Sequence, residues 1–225
     1  LYDRTMLMSL SCESKDTMMF LDKRRPHAFR ERHIVPHEMD KAVEDAIAAA
    51  ERRMSRHSGL ENYAVHAAQD RTRIVTVERW ASIDAYRYDR DAAMPGSQLY
   101  DWGATGGIVP TPLADKYAGV IIIDIFRIWR PLLHPVSAFT IRNGRAFNQE
   151  PGCISTTVFR GITAGAIATY ARWESPHAFA AAFSKLTGRH AVDPDSVNHA
   201  ARRMTMGLIR PDYHVYDLVA VGGAV

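Results

Sequence analysis

Apolar residues in the first half of the chain recur with two different periods. Over residues 38–56, Met39, Val43, Ile47, Ala50 and Met54 share one face at helical spacing. Arg52, Arg53 and Arg56 crowd the last turn, where cations suit the helix dipole, and Gly59 follows as a stop. The period then shortens. Residues 60–67 and 73–80 alternate apolar with polar positions, carry β-branched side chains and flank the polar turn Gln69-Asp70-Arg71, which predicts a hairpin.

The same grammar returns downstream. A weaker helical pattern covers 136–149, strands are predicted at 153–160 and 166–173 around a glycine-containing turn at 161–165, and a last strand at 212–221. Between them Ser175-Pro176 opens a helix with an N-cap and a first-turn proline, and Ala178, Phe179, Ala182, Phe183 and Leu186 form its apolar face. Sliding the chain by 93 residues lays Ser58-Gly59-Leu60 over Pro151-Gly152-Cys153 and Arg79-Trp80 over Arg172-Trp173. Both copies then read as glycine, tryptophan 21 positions on, and an aromatic six further, Tyr86 or Phe179. The same shift lays residues 120–125 over 213–218, which makes Asp124 and Asp217 counterparts. This is an internal repeat.

Helix, hairpin, helix and strand make up most of a ferredoxin-like βαββαβ unit, whose sheet has one face under helices and one open apolar face. Two such units bury their open faces against each other. The expected fold class is therefore α+β, with tandem ferredoxin-like repeats divided as 1–118 and 119–225. Eight strands are needed, yet only the run 119–130 lies between the copies. It is expected to close the first repeat or be shared, while one of the N-terminal runs 5–12 and 17–22 crosses over to complete the second. Residues 93–118 hold Pro95, Gly96, Gly103, Gly106, Gly107, Pro110 and Pro112 and read as a long loop, of the kind that often forms a functional lid.

Composition narrows the class. A formal charge of +3, from 28 basic and 25 acidic residues dispersed along 225 positions, argues against nucleic acid or a membrane surface as partner. No run reaches the length of a membrane helix and no signal peptide is legible, so a soluble, cytoplasmic protein is expected. Cys12 and Cys153, far apart in apolar runs, are expected to be two buried thiols. Zinc-ligand spacing, a P-loop, a dinucleotide fingerprint and a nucleophile elbow are all missing.

The segment Asn148-Gln149-Glu150-Pro151-Gly152-Cys153, the strand end Ala168-Thr169-Tyr170-Ala171-Arg172-Trp173-Glu174-Ser175 and the following Ala178-Phe179 resemble the antibiotic biosynthesis monooxygenase family. The first repeat shows a worn version in Ser58-Gly59-Leu60, Thr76-Val77-Glu78-Arg79-Trp80, Ser82 and Tyr86. The resemblance covers about residues 35–90 and 135–221. It implies an intrachain dimeric α/β-barrel. It also implies an oxygenase that oxidises or ring-opens an electron-rich polycyclic aromatic polyketide of anthrone or hydroquinone type. Tandem length and duplication are similar to the ring-opening oxygenases of angucycline biosynthesis. No metal, haem or tightly bound cofactor is implied. Reduced flavin (FAD or FMN), supplied by a flavin reductase, is the one reductant to consider, and a homodimer of the fused chain is a further expectation. Haem-degrading relatives carry a histidine downstream of the equivalent tryptophan, where this chain has Arg90 and Phe183.

Triplet oxygen reacts slowly with closed-shell molecules unless a phenolate or carbanion donates an electron. A protein promoting that step must take a proton and stabilise the anion in a dry, aromatic-walled pocket. In the resemblance Trp80 and Trp173 line such a pocket; on packing grounds alone each equally serves as a core plug. Arg79 and Arg172 alternate to the opposite sheet face, to hold a phenolate or to pair near a helix. His177, in the first turn after Trp173, and His214, on the last strand, are the candidate catalytic histidines. Asp124, in an apolar strand, is a general base or one half of a buried ion pair. Tyr63, His66, Tyr86, Tyr170, Tyr213 and Arg172 complete the expected substrate contacts. A non-redox polyketide cyclase or a ligand-binding protein on the same fold is the alternative.

Overall fold

Trp80 and Trp173 each end the second strand of a hairpin, and the two hairpins anchor the two halves of the molecule. The computed structural model describes residues 25–88, 97–107, 119–162, 165–204 and 211–223. In the first half, β1 (His27–His33), α1 (Met39–Arg56), β2 (Leu60–Ala68), β3 (Arg73–Trp80), α2 (Ile83–Tyr88) and β4 (Ser97–Gly107) follow one another. The second half repeats the order with β5 (Val120–Arg127), α3 (Leu133–Phe147), β6 (Cys153–Gly161), β7 (Ala166–Trp173), α4 (Pro176–Thr187), α5 (Pro194–Met204) and β8 (His214–Gly223).

The strands close into one barrel in the order β1-β3-β2-β8-β5-β7-β6-β4, with every pairing antiparallel. Within each half, the first strand lies between the third and the fourth, which is the ferredoxin-like arrangement. Two seams join the halves, β2 with β8 and β4 with β6. The fold is a mixed α/β tandem barrel with its helices outside.

Four expectations are corrected. The closing strand of the first repeat is β4, inside the segment read as a loop at 93–118; Gly106 and Gly107, two of the glycines that suggested a loop, pair with Thr156 and Ser155 of β6, and Gly103 falls at a register shift. The run at 119–130 does not close the first repeat, because β5 pairs with β7 and β8. β5 therefore corresponds to β1, and β8 to β4, so Asp124 and Asp217 are not counterparts. The N-terminal runs 5–12 and 17–22, with Cys12, lie outside the described residues. Cys153 is half-buried rather than buried.

Strand alternation divides the buried residues into an inner and several outer sets. Phe29, Ala64, Val75, Tyr100, Ile123, Phe159, Tyr170 and Tyr216, one from each strand, meet in a single cluster that fills the barrel. Outside, α1 packs on β2 and β3 through Met39, Ala42 and Ala50. On the second half, α4 and α5 cover Ile122, Ala171 and Trp173, and α3 lies over Phe126, Val158 and Ile167. No helix among the described residues is long and apolar enough to cross a membrane.

Candidate active site

The outer layer of the second half encloses a cavity of about 300 Å³. Its floor is the outward face of the sheet: Ile122 and Phe126 of β5, Thr156 and Val158 of β6, and Thr169, Ala171 and Trp173 of β7. Phe139, Asn143, Gly144 and Phe147 of α3 form one wall, and Phe179, Phe183 and Leu186 of α4 the other. Pro211 and Tyr213 close one end. Ser175 accepts a hydrogen bond from Ala178 N (3.1 Å) and so caps α4, while Gly188, at φ 66°, ends it in the left-handed conformation. These two caps fix the helix that carries Phe179 and Phe183 over the floor.

Trp173 is 1% exposed and packs edge-on against Phe147 and Phe179, with ring centroids 5.9 and 5.6 Å apart. Its indole Nε1 is buried without a hydrogen-bond partner among the described residues. Asp124 lies between Ile122 and Phe126 on β5 and opposite Thr169; those three neighbours line the cavity, whereas Asp124 itself does not. One carboxylate oxygen accepts from Asp212 N (2.8 Å); the other, Oδ2, is buried without a partner among the described residues. Burial disfavours its charged form, and the single backbone hydrogen bond offsets this only in part, so its pKa is pushed up to about 7. Tyr213, a lining residue, has its hydroxyl pKa raised by burial and by the Asp124 charge, and remains a neutral donor. Buried polar atoms are ordinarily paired, so the unpartnered indole N–H of Trp173 beside the cavity and the unpartnered Asp124 oxygen on its floor strand are exceptions among the described residues.

Asp212, whose backbone holds Asp124, is itself held. Its carboxylate pairs with Arg73 and lies 3.1 Å from His214 Nε2, and His214 Nδ1 lies 2.7 Å from Asp70 Oδ2. The His214 hydrogen bond leads in lowering Asp212 to about 2. Burial alone would lower His214, but its hydrogen bonds to Asp212 and Asp70 raise it instead.

The remaining candidates are dispersed. His177 is exposed on the first turn of α4 and does not line the cavity, because the turn that caps the helix directs it to solvent. His214 belongs to the charged cluster just described, away from the lining. His66 and Tyr170 do meet, but inside the barrel. A carbonyl can only accept, so His66 Nδ1 donates to Val75 O (3.2 Å) and Nε2 accepts from the Tyr170 hydroxyl (3.1 Å). Burial lowers the His66 pKa to about 4, which makes it a satisfied neutral core histidine. Arg172 is 5% exposed and alternates to the inner face. Tyr63 packs beneath α1, and Trp80 and Tyr86 pack on each other in the first half with centroids 5.6 Å apart. The residues missed by sequence reading are chiefly Phe126, Phe139, Phe147 and Asn143, together with the small Gly144, Ala146 and Ala171 that leave the space.

Among the described residues no lysine or arginine lines the cavity. Among the described residues no group of three His, Cys, Asp or Glu side chains is placed to hold a metal ion.

Comparison with known proteins places the class at the level of fold. No family model and no curated protein sequence matches the chain. Among solved structures, it is similar to an anthrone oxidase-like protein with a TM-score of 0.67 at 13% identity, covering 90% of this chain and 94% of that one. A putative monooxygenase from Fusobacterium nucleatum follows at 0.56 and 8% identity, over 88% and 94%. A major regulator of staphylococcal pathogenesis is also similar, at 0.51 and 10% identity, over 85% and 97%. The shared fold therefore carries both enzyme-like and regulatory proteins.

Proposed function

We propose that the protein is an oxygenase whose single working site is the cavity of the second repeat, and that it acts on a neutral, flat, electron-rich aromatic molecule of anthrone or hydroquinone type. The observation that carries this reading is the unpartnered buried Nε1 of Trp173 at an aromatic-walled cavity, with a second unpartnered atom, Asp124 Oδ2, on a strand of its floor. The likeness of fold to an anthrone oxidase-like protein supports it.

In this reading Asp124, which does not itself line the cavity, is the final proton acceptor, and Tyr213, which lines it and feels the Asp124 charge, passes the proton on. With a pKa near 7 Asp124 is deprotonated in an appreciable fraction at neutral pH and still basic enough to take, through Tyr213, a proton from an acidic phenol or benzylic carbon. The Trp173 N–H and the Tyr213 hydroxyl stabilise the oxygen on which the anion's charge gathers. The anion gives one electron to molecular oxygen, and the two radicals combine into a carbon-bound peroxide. Loss of water then leaves one oxygen atom on carbon as a carbonyl, while the other departs with two substrate hydrogens. No external reductant is needed for that balance.

The test is oxygen uptake with an anthrone as substrate, followed by the mass of the product. Enzyme-dependent uptake with one oxygen atom gained is expected. Asp124→Asn should lower turnover by roughly 100-fold or more. Trp173→Phe should weaken substrate binding by about tenfold, the worth of one buried hydrogen bond. His177→Ala, on the exposed helix turn, should change neither. Binding without uptake would sink the oxygenase reading and favour a cyclase or ligand-binding protein.

A further inference from the structure

We propose that Glu78 is a built-in plug that fills the first repeat's copy of the cavity and mimics its ligand, so that the chain takes one ligand although its fold offers two places. This rests on the second-repeat cavity being the ligand site, but not on the ligand being oxidised there.

The two sheet halves can be superposed by register. Arg30 of β1 lies opposite Thr76, and Ala28 opposite Glu78. Asp124 of β5 lies opposite Thr169, and Ile122 opposite Ala171. Thr76 and Thr169 are 93 residues apart, as are Glu78 and Ala171, so Glu78 stands where Ala171 stands and Arg30 where Asp124 stands. Counted back from Gly59 and Gly152, Arg53 falls on Ala146; counted from the helix starts Met39 and Leu133, it falls on Phe147. Ala146, Phe147 and Ala171 all line the cavity.

In the first repeat these positions satisfy one another. Glu78 is 0% exposed. Its Oε1 accepts from Arg30 Nε at 2.9 Å and from Arg53 Nε at 2.7 Å, and its Oε2 accepts from Trp80 Nε1 at 3.1 Å. In the second repeat the glutamate has shrunk to a methyl group and both arginines are replaced. Space opens, and the N–H of Trp173 and one oxygen of Asp124 are left over. A carboxylate oxygen on the Trp80 N–H shows what the Trp173 N–H lacks. The ligand therefore presents an oxygen acceptor, a carbonyl or phenol oxygen, to Trp173. It carries no formal negative charge, because no arginine stands in the second cavity to meet one.

The experiment is an equilibrium-binding titration of the whole chain with 1,8-dihydroxyanthraquinone. This probe is neutral, flat and already oxidised, so it reports binding without turnover. One equivalent per chain is expected. Ala171→Glu, which copies the plug into the second repeat, should weaken binding by at least 100-fold; if that variant melts early, Ala171→Leu fills the same space without a charge and should do the same. Copying the second repeat into the first, with Glu78→Ala, Arg53→Ala and Arg30→Asp together, should raise the stoichiometry to two. Two equivalents for the native chain, no binding at all, or unchanged affinity in a folded Ala171 variant would each overturn the plug. One equivalent bound without oxygen uptake on an anthrone would sink only the oxygenase reading.

Discussion

At the scale of residues, Asp124 in its proposed role would couple chemistry to stability with opposite signs. Its folded pKa lies near 7, above the ordinary 3.8 of an exposed aspartate, so the folded state holds this proton more tightly than the unfolded chain does. The resulting stabilisation is fully present below about pH 4 and is lost as pH rises to about 7. With Asp124 as the proposed base, activity is expected to run the other way, rising through about pH 7 as the base form appears. Asp124→Asn should therefore gain in melting temperature relative to the native chain between pH 5 and pH 8, while losing turnover throughout; melts at the two pH values check this. Asp124, Trp173 and Tyr213 could be picked out from sequence because each is a polar or aromatic exception in an apolar strand or at its edge. His66 shows the converse: nothing in its neighbours tells that Tyr170, 104 residues away, completes its hydrogen bonds. The space itself was not legible, since it is made by Ala171, Gly144 and Ala146, residues that signal nothing on their own.

Among elements, legibility followed periodicity. α1, β2, β3, β6, β7 and α4 were read to within a few residues because each carries a clean period or a cap. β4 was missed because Gly103, Gly106 and Gly107 carry no side chain with which to show alternation, and backbone pairing to β6 overrides their preference. β1 was missed because His27-Ala28-Phe29-Arg30-Glu31-Arg32-His33 has too few apolar residues to stand out; Arg30 is half-buried there with its guanidinium on Glu78. α4 gives the prediction at this scale. Ser175→Ala removes the acceptor for Ala178 N and should cost about 1 kcal/mol. Because α4 carries Phe179 and Phe183, the same variant should weaken probe binding, which a thermal melt and a binding titration on one sample would show.

The whole molecule holds together through two seams, and a glycine marks one of them. A Cβ on Gly222 would stand 2.3 Å from the Tyr63 ring across the β2–β8 seam. Gly222→Val should therefore cost roughly 1–3 kcal/mol through overpacking. The loss should appear as a lower unfolding midpoint in denaturant for the whole chain at once, because each half borrows two partner strands from the other. Barrel closure has a further consequence for traffic. With both seams stitched by backbone ladders, the halves cannot swing apart like a hinged shell to admit a guest. Among the described residues the cavity meets solvent at the helical roof, where Phe139 of α3 and Leu186 of α4 stand 38% and 39% exposed while also lining it. If those two side chains are the doorposts, trimming either to alanine should speed both entry and release of a bound probe.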